Sequence, residues 1–575
     1  MKLSTAIPEG FFDYDLIGLD LETTSLSGAP DPHRERVLLI SLANEVGTIV
    51  LTPGDWLPTL WEALKAPGRV MLSHNSSFDL QFLWSLGFEG RPTKIWDTML
   101  AEQVLLAGLP DRADLAATAW RRIDKMLDKA VRATFMRHIG GFSDQQLAYA
   151  GEDAEVLIPI FLCQYPLAQA QGLLETIVLE NAVAPIIAQM EWDGVGFDVD
   201  RWDELKATEL ENARRENQQV QLALELPTYT YDLFDGGIRG INLNSWQQVL
   251  KALHHCGIGV KNTRVETFEK YLATHPEATV LRHILAYRSY TKRAGYNYGA
   301  YVHPVTGRIH TDYRQLGAVT GRLSSSRPNL QNIPRLPAYR ALFIARPGWS
   351  LIKSDMAQQE MRILAEASGD SALMQACLEE DVHITIARRM YREPGMCACD
   401  PRRDTAKNSG FAMSYGASAM RVAITGGIPL ADAEMIVSFV RNAFPQAMAW
   451  GAEQARLAKD IGYVLTLGGR RRNFVPDPTK PDEFWDNQAR NAPIQGTAAD
   501  VMKRGLVNVD AALRDGGYQA RLVLTVHDEL VVEAPEDECR DVAPIITREF
   551  QRAGEYYVKC VPMPVDAVVS PHWKK

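Results

Sequence analysis

Four acidic residues and one tyrosine in the first 160 residues have the types and spacing of a divalent-metal site. Asp20 and Glu22 stand two apart in "DLIGLDLETTSL", Asp79 lies in "SHNSSFDLQFL", and Tyr149 and Asp153 stand four apart in "QLAYAGEDAEVL". The strand and helix periods would place each pair on one face. Facing carboxylates repel unless a cation lies between them, and oxygen ligands suit hard divalent cations. Two such ions can activate water and stabilise a leaving oxygen on phosphorus. Each pair alone more often marks an exposed edge, but every acid here ends or lines an apolar element.

A second group of acids lies far along the chain. Asp355 ends an apolar strand in "WSLIKSDMAQQEMRILAEASGD", before a helical stretch that carries Glu360. In "LTVHDELVVEA", His527, Asp528 and Glu529 interrupt an otherwise apolar hairpin. Burying an unpaired carboxylate is costly, so this run is a turn, a salt-bridged pair or a metal site. A polar hairpin tip is the commonest of these, but two acids from distant segments favour two-metal phosphoryl transfer.

A stripe of cations and aromatic rings lies between these two segments. In "RRDTAKNSGFAMSYG", Arg403, Lys407, Phe411 and Tyr415 follow each other at steps of four, so a helix would align them on one face. Two cations followed by two rings suit a ligand with a polyphosphate at one end and flat rings at the other, which is a nucleotide. The alternative is a packed helix along which basic side chains extend to reach solvent.

The elements that must position these residues fall into three parts. The first 160 or so residues alternate strand-like and helical runs, which indicates an α/β domain. Residues from about 170 to 300 are mostly helical, and from about 301 strands and helices mix without βαβ regularity, which indicates α+β. A chain of 575 residues is too long for one core, so three or four domains are expected. No long Gly/Ser linker separates them, so we expect the domains to pack together.

Composition excludes several classes of protein. The chain is 46% hydrophobic and 23% charged, as in ordinary globular proteins, and no apolar run reaches the roughly 20 residues of a membrane helix. The N-terminal stretch has no signal-peptide or transit-peptide pattern, and seven scattered cysteines favour a reducing compartment without a disulfide framework. Cys397 and Cys399 lack a second ligand pair at zinc spacing. The net charge of −10 permits local basic clusters, and the cluster at residues 470–472, taken alone, is expected to be a solvated face.

The first set of acids resembles the DEDD-type 3′–5′ exonucleases in their tyrosine variant, which have an RNase H-like fold. The matching positions are the D-x-E pair, the Asn and Asp of the second motif, and the Y-x-x-x-D pair: Asp20, Glu22, Asn75, Asp79, Tyr149 and Asp153. The resemblance implies that the four acids are metal ligands and that Tyr149 orients the attacking water. No acid of the pattern is missing, so an active nuclease is expected.

Long stretches of the remaining chain resemble family A DNA polymerases, the DNA polymerase I group. The matches are "TGRLSSSRPNLQNIP", "NAPIQGTAAD", "VHDELVVEAP" and "NLNS", at residues 320–334, 491–500, 526–535 and 242–245. The resemblance covers essentially the whole chain and implies a right-hand polymerase of palm, fingers and thumb. The expected domains are an exonuclease (1–172), the thumb with the N-terminal part of the polymerase (173–300), the first part of the palm (301–370), the fingers (371–460) and the second part of the palm (461–575). A 5′ nuclease domain is expected to be absent.

The same resemblance implies roles for individual residues. Asp355 and Asp528 would hold two metal ions, Mg²⁺ with Mn²⁺ as a substitute, and Glu529 would support them. Nucleotide contacts would come from Arg403, Lys407, Phe411, Tyr415 and Glu360. DNA contacts would come from Arg322, Asn491, Gln495 and His527. Among these, Lys407 would donate a proton to the leaving pyrophosphate, Phe411 would pack against the sugar, and Glu360, bonded to Tyr415, would block a ribose 2′-hydroxyl.

Several positions depart from the family pattern. Gly410 and Ala412 stand in a segment that usually contains Asn-Phe-Gly, and a glycine inside a helix costs about 1 kcal/mol relative to alanine. Asn487, Thr525 and Arg327 replace the Arg, Gln and Asp that are common there. None of these is a metal ligand, so they bear on DNA contacts and fidelity. They suggest a divergent branch of the family, such as a phage enzyme.

The predicted function is template-directed DNA synthesis from a primer 3′ end with 3′–5′ proofreading, in viral or bacterial DNA replication. Primer–template DNA and dNTPs are the expected partners, and a processivity factor, a helicase or a single-strand-binding protein are further candidates. We expect a monomer, away from membranes, in the cytoplasm of a bacterium or an infected host cell. Three alternatives stay open: a single-subunit RNA polymerase, which Glu360 and the intact exonuclease acids disfavour, a silent DNA-binding scaffold, and a nuclease with a dead polymerase module.

Overall fold

A computed structural model describes the chain from residue 3 to residue 574. The description leaves out residues 5, 27, 225–239, 380, 398, 401, 404, 408–415, 417, 427, 476–478 and 480–481. The predicted nucleotide contacts Phe411 and Tyr415, and the departures Gly410 and Ala412, therefore lie outside the described residues. Within the described ranges no helix is both long enough and apolar enough to cross a membrane.

The N-terminal part is built on a mixed six-stranded sheet, in the order β1-β4-β3-β2-β5-β6. Its strands are β1 (Leu3–Ser4), β2 (Leu16–Thr23), β3 (Val37–Ala43), β4 (Thr48–Leu51), β5 (Val70–Ser73) and β6 (Lys94–Asp97). Its helices are α1 (Leu57–Lys65), α2 (Ser76–Ser85), α3 (Thr98–Leu106), α4 (Leu115–Ile123), α5 (Asp144–Glu155) and α6 (Leu157–Ala170). β2 runs parallel to β5 and antiparallel to β3, which places it in the middle of the sheet.

Side chains along β2 point alternately to the two faces of the sheet, so successive residues contact different helices. Leu19 and Leu21 join a buried cluster with side chains of α1 and α2. The intervening positions face α5 on the other side of the sheet. There Gly18 permits close contact, because a Cβ at this position would lie 2.7 Å from the carbonyl oxygen of Ala154.

The middle of the chain is helical, as the sequence predicts. It comprises α7 (Leu174–Asp193), the short strand β7 (Val195–Phe197), α8 (Val199–Ala223), α9 (Trp246–His255), α10 (Val265–Thr274) and α11 (Thr279–Ala294). Helices α8 to α11 enclose a buried cluster that includes Val220, Leu253, Phe268 and Leu281. Helix α7 contacts elements of both the N-terminal and the C-terminal part, so it connects them.

The C-terminal part is built on an antiparallel four-stranded sheet in the order β15-β16-β12-β17. The strands are β8 (Arg308–Ile309), β9 (Asp312–Arg314), β10 (Ser324–Ser326), β11 (Phe343–Ile344), β12 (Trp349–Met356), β13 (Tyr463–Leu465), β14 (Arg471–Asn473), β15 (Arg521–Val526), β16 (Glu529–Pro535) and β17 (Val565–Ser570). The helices are α12 (Pro337–Arg340), α13 (Gln359–Ser368), α14 (Ser371–Leu378), α15 (Val382–Tyr391), α16 (Ala419–Gly426), α17 (Leu430–Ala443), α18 (Pro445–Asp460), α19 (Asp482–Asp515) and α20 (Cys539–Tyr557).

Both faces of this second sheet are buried. One face packs against α13, α19 and α20 in the largest hydrophobic cluster of the described chain. The other face packs against a cluster that includes Phe343, Tyr339 and Trp573. The expected class, an α/β domain followed by α+β, is confirmed. One local feature was not expected, since Cys397 and Cys399 form a disulfide.

Candidate active sites

The first site forms where β2 faces α5. Asp20 and Glu22 occupy alternate positions on β2, and Tyr149 and Asp153 lie one turn apart on α5. One carboxylate oxygen from each of Asp20, Glu22 and Asp153 lies within 4.8 Å of the others. The predicted convergence of these three acids is therefore present in the structure.

Asp79 is close to this group but not part of it. It lies in the first turn of α2, which begins after Asn75, and it is 4% exposed. Burial raises the pKa of Asp79, and the charge of Asp20 raises it further. The charge of Asp20 therefore acts on Asp79, although the carboxylate oxygens of Asp79 lie outside the three-acid cluster.

The electrostatics of the cluster favour a bound cation. Burial raises the pKa of Asp20 to about 8, and the neighbouring Asp153 charge adds to the effect. Burial and the Asp20 charge raise the pKa of Glu22 to about 9. A divalent ion would remove this repulsion, so the donor set fits a hard cation bound by oxygen. Burial, followed by the Asp153 charge, also raises the pKa of Tyr149, so its phenol stays protonated and can donate a hydrogen bond.

Sequence reasoning missed Lys129, a cation that contacts this site. Lys129 Nζ donates to both carboxylate oxygens of Asp153, at 2.7 Å each, and lies 5.2 Å from the centroid of the Tyr149 ring. Lys129 precedes a 3₁₀ turn at Ala130–Thr134, between the second and third acidic motifs. A single lysine in a polar loop gives no periodic signal, so the sequence alone did not identify it.

The second site forms at one end of the four-stranded sheet. Asp355 is the penultimate residue of β12 and pairs across the ladder with Glu529, the first residue of β16. Asp528 occupies the turn that precedes Glu529, so antiparallel pairing brings it beside Asp355. The turn is tight because His527 adopts a φ of +55°. The interrupted hairpin of the sequence is therefore a turn that presents Asp528.

A cavity of about 690 Å³ joins the acids of the second site to the predicted nucleotide-binding cations. Its lining includes Arg322, Asp355, Glu360, Arg403, Lys407, His527 and Asp528. Burial, and next the charge of Asp528, raises the pKa of Asp355. Asp355 Oδ1 is buried without a hydrogen-bond partner, although buried oxygens normally have one. An unsatisfied carboxylate oxygen beside a second carboxylate fits a divalent cation.

Two of the arginines that line this cavity pair with carboxylates. Arg322 donates a short hydrogen bond to Glu360, so the described partner of Glu360 is this arginine, whereas the predicted partner Tyr415 lies outside the described residues. Arg403 Nε donates to Asp381 Oδ2 at 2.6 Å. Residues 402–403 and 405–407 are helical, which agrees with the first half of the predicted stripe.

The predicted DNA contacts separate into two groups. Arg322 and His527 line the cavity, whereas Asn491 and Gln495 lie on α19 outside its lining. Sequence reasoning missed Gln331, which accepts a hydrogen bond from the His527 backbone N–H and donates to the Thr525 carbonyl. Gln331 stands inside the matched "TGRLSSSRPNLQNIP" stretch, so a residue-by-residue comparison of that motif could have found it.

Glu529 supports the second site through buried contacts. Its carboxylate accepts two hydrogen bonds from Arg340, at 2.7 and 2.9 Å, and one from the Trp573 indole at 3.1 Å. The Arg340 guanidinium also lies 4.4 Å from the Trp573 ring centroid. This pairing fixes the start of β16, which directly follows Asp528. The supporting role of Glu529 stays a prediction.

The expectation of a solvated basic face at residues 470–472 is wrong for Arg470. Arg470 is 5% exposed, and its guanidinium bonds to Asp500 at 2.7 Å and Glu180 at 2.5 Å. Lys503 bonds to the same Glu180 at 2.6 Å. Arg470 also packs against Gly321, where a Cβ would lie 2.9 Å from its Nε. The partners are distant in sequence, so the local run of arginines could not reveal the network.

Comparison with family models identifies both parts of the chain. Residues 210–575 match the model described as DNA polymerase family A, which covers more than half of the chain. Residues 8–163 match the model described as 3′-5′ exonuclease. The two matches contain the second and the first candidate site, respectively.

Curated relatives carry the name DNA polymerase I. The protein of Chloroflexus aurantiacus is 31% identical over 97% of this chain and 60% of its own length. The protein of Pseudomonas aeruginosa is 30% identical over 97% of this chain and 63% of its own length. The thermostable protein of Thermus thermophilus is 34% identical over 69% of this chain and 47% of its own length. The chain thus matches between about half and two thirds of the length of these relatives.

The fold is found among solved structures, for example in one described as the POL domain of Pol1 from M. smegmatis in complex with DNA primer-template and dNTP. The TM-score is 0.84, with 24% sequence identity and coverage of 99% of both chains. The arrangement of the N-terminal sheet, the helical middle and the C-terminal sheet is therefore that of this solved structure.

Proposed function

This chain belongs to DNA polymerase family A, and from that premise we propose that it extends a primer 3′ end on a DNA template and removes mismatched nucleotides from the same end. One observation carries the synthetic half. Asp355 and Asp528, which are 173 positions apart, line one cavity together with Arg322, Glu360, Arg403 and Lys407. Two carboxylates beside several cations suit the transfer of a nucleotide from its triphosphate.

The residues of the second site have distinct proposed roles. Asp355 and Asp528 would hold two Mg²⁺ ions, and the charge of these ions would offset that of the triphosphate and favour loss of the proton of the primer 3′-hydroxyl. Arg403 and Lys407 bind the triphosphate, and Lys407 gives a proton to the leaving pyrophosphate. Most of the rate enhancement then comes from positioning and fixed charges.

Glu360 is the proposed discriminator against ribonucleotides. It lines the cavity near the end of β12, and Arg322 anchors its carboxylate. A side chain held at the sugar position would leave no room for a 2′-hydroxyl. Arg322 and His527, which also line the cavity, are proposed contacts of the primer end. Asn491 and Gln495, on α19, are proposed contacts of the duplex.

The first site is the proposed 3′–5′ exonuclease. Asp20, Glu22 and Asp153 would hold the metal ions, with Asp79 on α2 as a fourth ligand. Tyr149 keeps its proton and therefore orients the attacking water through its hydroxyl. We also assign residues 1–172 to the exonuclease, 173–300 to the thumb, 371–460 to the fingers, and 301–370 with 461–575 to the palm.

A primer–template assay with Mg²⁺ tests both halves, with dNTPs present and then withheld. Asp355→Ala should lower extension on the order of a thousandfold or more and keep degradation. Asp20→Ala should do the reverse. The wild-type protein should prefer dNTPs over rNTPs, and Glu360→Ala should reduce that preference. Normal extension by Asp355→Ala would refute the assignment of the second site.

A further inference from the structure

We propose that Lys129 is a displaceable internal cation of the exonuclease site, whose ammonium group must leave Asp153 before a divalent ion can bind there. The proposal rests on the proposed exonuclease function and adds a residue to it. The Lys129 ammonium neutralises the Asp153 carboxylate, and a divalent ion that binds to Asp153 displaces the lysine side chain to solvent. Lys129 thereby lowers the affinity of the site for metal.

The geometry of the contact carries the proposal. Lys129 Nζ lies 2.7 Å from Asp153 Oδ1 and 2.7 Å from Oδ2, so one ammonium contacts both oxygens of the acid. Asp153 is also one of the three acids whose oxygens converge within 4.8 Å. A divalent ion needs the same oxygens at a shorter distance, and like charges repel, so ion and ammonium compete for Asp153.

The surroundings allow the lysine to move while its backbone stays fixed. The Lys129 side chain is 34% exposed, whereas Asp153 is only 7% exposed. The following residues are anchored, because Val131 and Phe135 belong to a buried cluster with side chains of β3 and α5. A flexible four-carbon stem on an anchored turn can reach the acid or solvent without rebuilding the backbone.

The charges around Lys129 also favour competition between its ammonium group and a divalent ion. Asp20 and Glu22 face the same space from β2, and the exposed Arg132 acts on both from the following turn. Removing the Lys129 charge leaves the negative charge of the acids less compensated, and a divalent ion would compensate it. The prediction is therefore tighter metal binding when the lysine is neutralised, rather than weaker binding through loss of a support.

The chain offers a matched control. Lys125 lies four positions before Lys129 in the sequence. Its Nζ lies 3.1 Å from a carboxylate oxygen of Glu152, the neighbour of Asp153 on α5. Its side chain is also 34% exposed. Lys125→Met therefore makes the same change of charge near the same helix without touching a site acid.

Mn²⁺ binding to the DNA-free, full-length protein tests the proposal by electron paramagnetic resonance. All proteins carry Asp355→Asn to weaken the second site, and Lys129→Met, Lys129→Arg and Lys125→Met are compared on that background. Lys129→Met should bind Mn²⁺ on the order of tenfold more tightly than Lys125→Met, as expected for loss of a partly buried competing charge. Lys129→Arg should remain near the parent affinity.

The outcomes separate this proposal from the exonuclease assignment. Binding by Lys129→Met that equals or falls below that of Lys125→Met, with both proteins folded by circular dichroism, overturns the competing role of Lys129 alone. If Asp20→Asn on the same background leaves Mn²⁺ binding unchanged, the exonuclease metal site itself is refuted, and the inference falls with it.

Discussion

Glu180→Gln should strongly destabilise the protein, because Glu180 is the centre of a buried ionic network. Its carboxylate is fully buried and contacts Lys503 at 2.6 Å and Arg470 at 2.5 Å. Asp500 supplies the second negative charge, so two buried acids balance two buried cations. The substitution leaves one uncompensated positive charge. Breaking a buried pair in this way costs about 3–5 kcal/mol.

The buried lysine sets the pH dependence of this effect. Burial lowers the pKa of Lys503 from 10.5 to about 8, against the opposing attraction of Glu180. Without Glu180 the pKa falls further, so Lys503 can lose its proton near neutral pH. Because loss of this proton removes the uncompensated charge, Glu180→Gln should lower the free energy of unfolding by about 3 kcal/mol, the lower end of the 3–5 kcal/mol range. The Glu180–Lys503 attraction exists below the folded pKa of the lysine and disappears as the pH rises through about 8, so the difference between wild type and variant should shrink there.

Urea unfolding monitored by circular dichroism measures this prediction at pH 7 and at pH 9. Glu175→Gln is the matched control, since Glu175 is exposed on the same helix α7. The control should lie within about 0.5 kcal/mol of wild type. A Glu180→Gln variant as stable as this control would refute the buried network. A loss that grows between pH 7 and pH 9 would refute the role given to Lys503.

Three further predictions concern other buried or bridging charges. Glu529→Gln should lower the free energy of unfolding by about 2–4 kcal/mol, because Arg340 is 4% exposed and would lose its counter-charge; denaturation at the wild-type midpoint would contradict this. Burial raises the pKa of Glu191 from 4.5 to about 7, so Glu191 stays protonated to a higher pH in the folded state than in the unfolded state. The free energy of unfolding of the wild type should therefore fall by about 1–3 kcal/mol as the pH rises from 4.5 to 7. Glu191→Gln should remove that slope in a series of melting curves, and an unchanged slope would exclude Glu191 as its source. Arg91→Ala removes a bidentate pair with Asp510, at 2.6 and 3.0 Å, that joins the N-terminal part to α19. It should speed amide hydrogen exchange at that interface, and unaltered exchange would show that the pair does not hold the two parts together.

Local periodicity was enough to predict the elements of both sites. The two-residue period placed Asp20 and Glu22 on one face of β2, and the four-residue step placed Tyr149 and Asp153 on one face of α5. The apolar flanks of the His527–Glu529 run predicted a hairpin, and the structure has one. These predictions held because strand alternation and helix pitch depend only on neighbouring residues.

Contacts between distant segments could not be predicted in this way. The pairing of Arg470 with Glu180 joins residues 290 positions apart, and nothing in the local run of arginines distinguishes a buried guanidinium from a solvated one. Lys129 follows no period, so its contact with Asp153 depends on how the loop folds over α5. The position of Asp79 outside the three-acid cluster likewise depends on how α2 packs against the sheet.

Anomalous diffraction from crystals soaked in Mn²⁺ tests the central claim most directly, namely that acids far apart in the chain converge on shared metal ions at two sites. The account predicts at least one anomalous peak among Asp20, Glu22 and Asp153, and at least one more between Asp355 and Asp528. Strong peaks at other acidic residues, with none between residues 355 and 528, would contradict it.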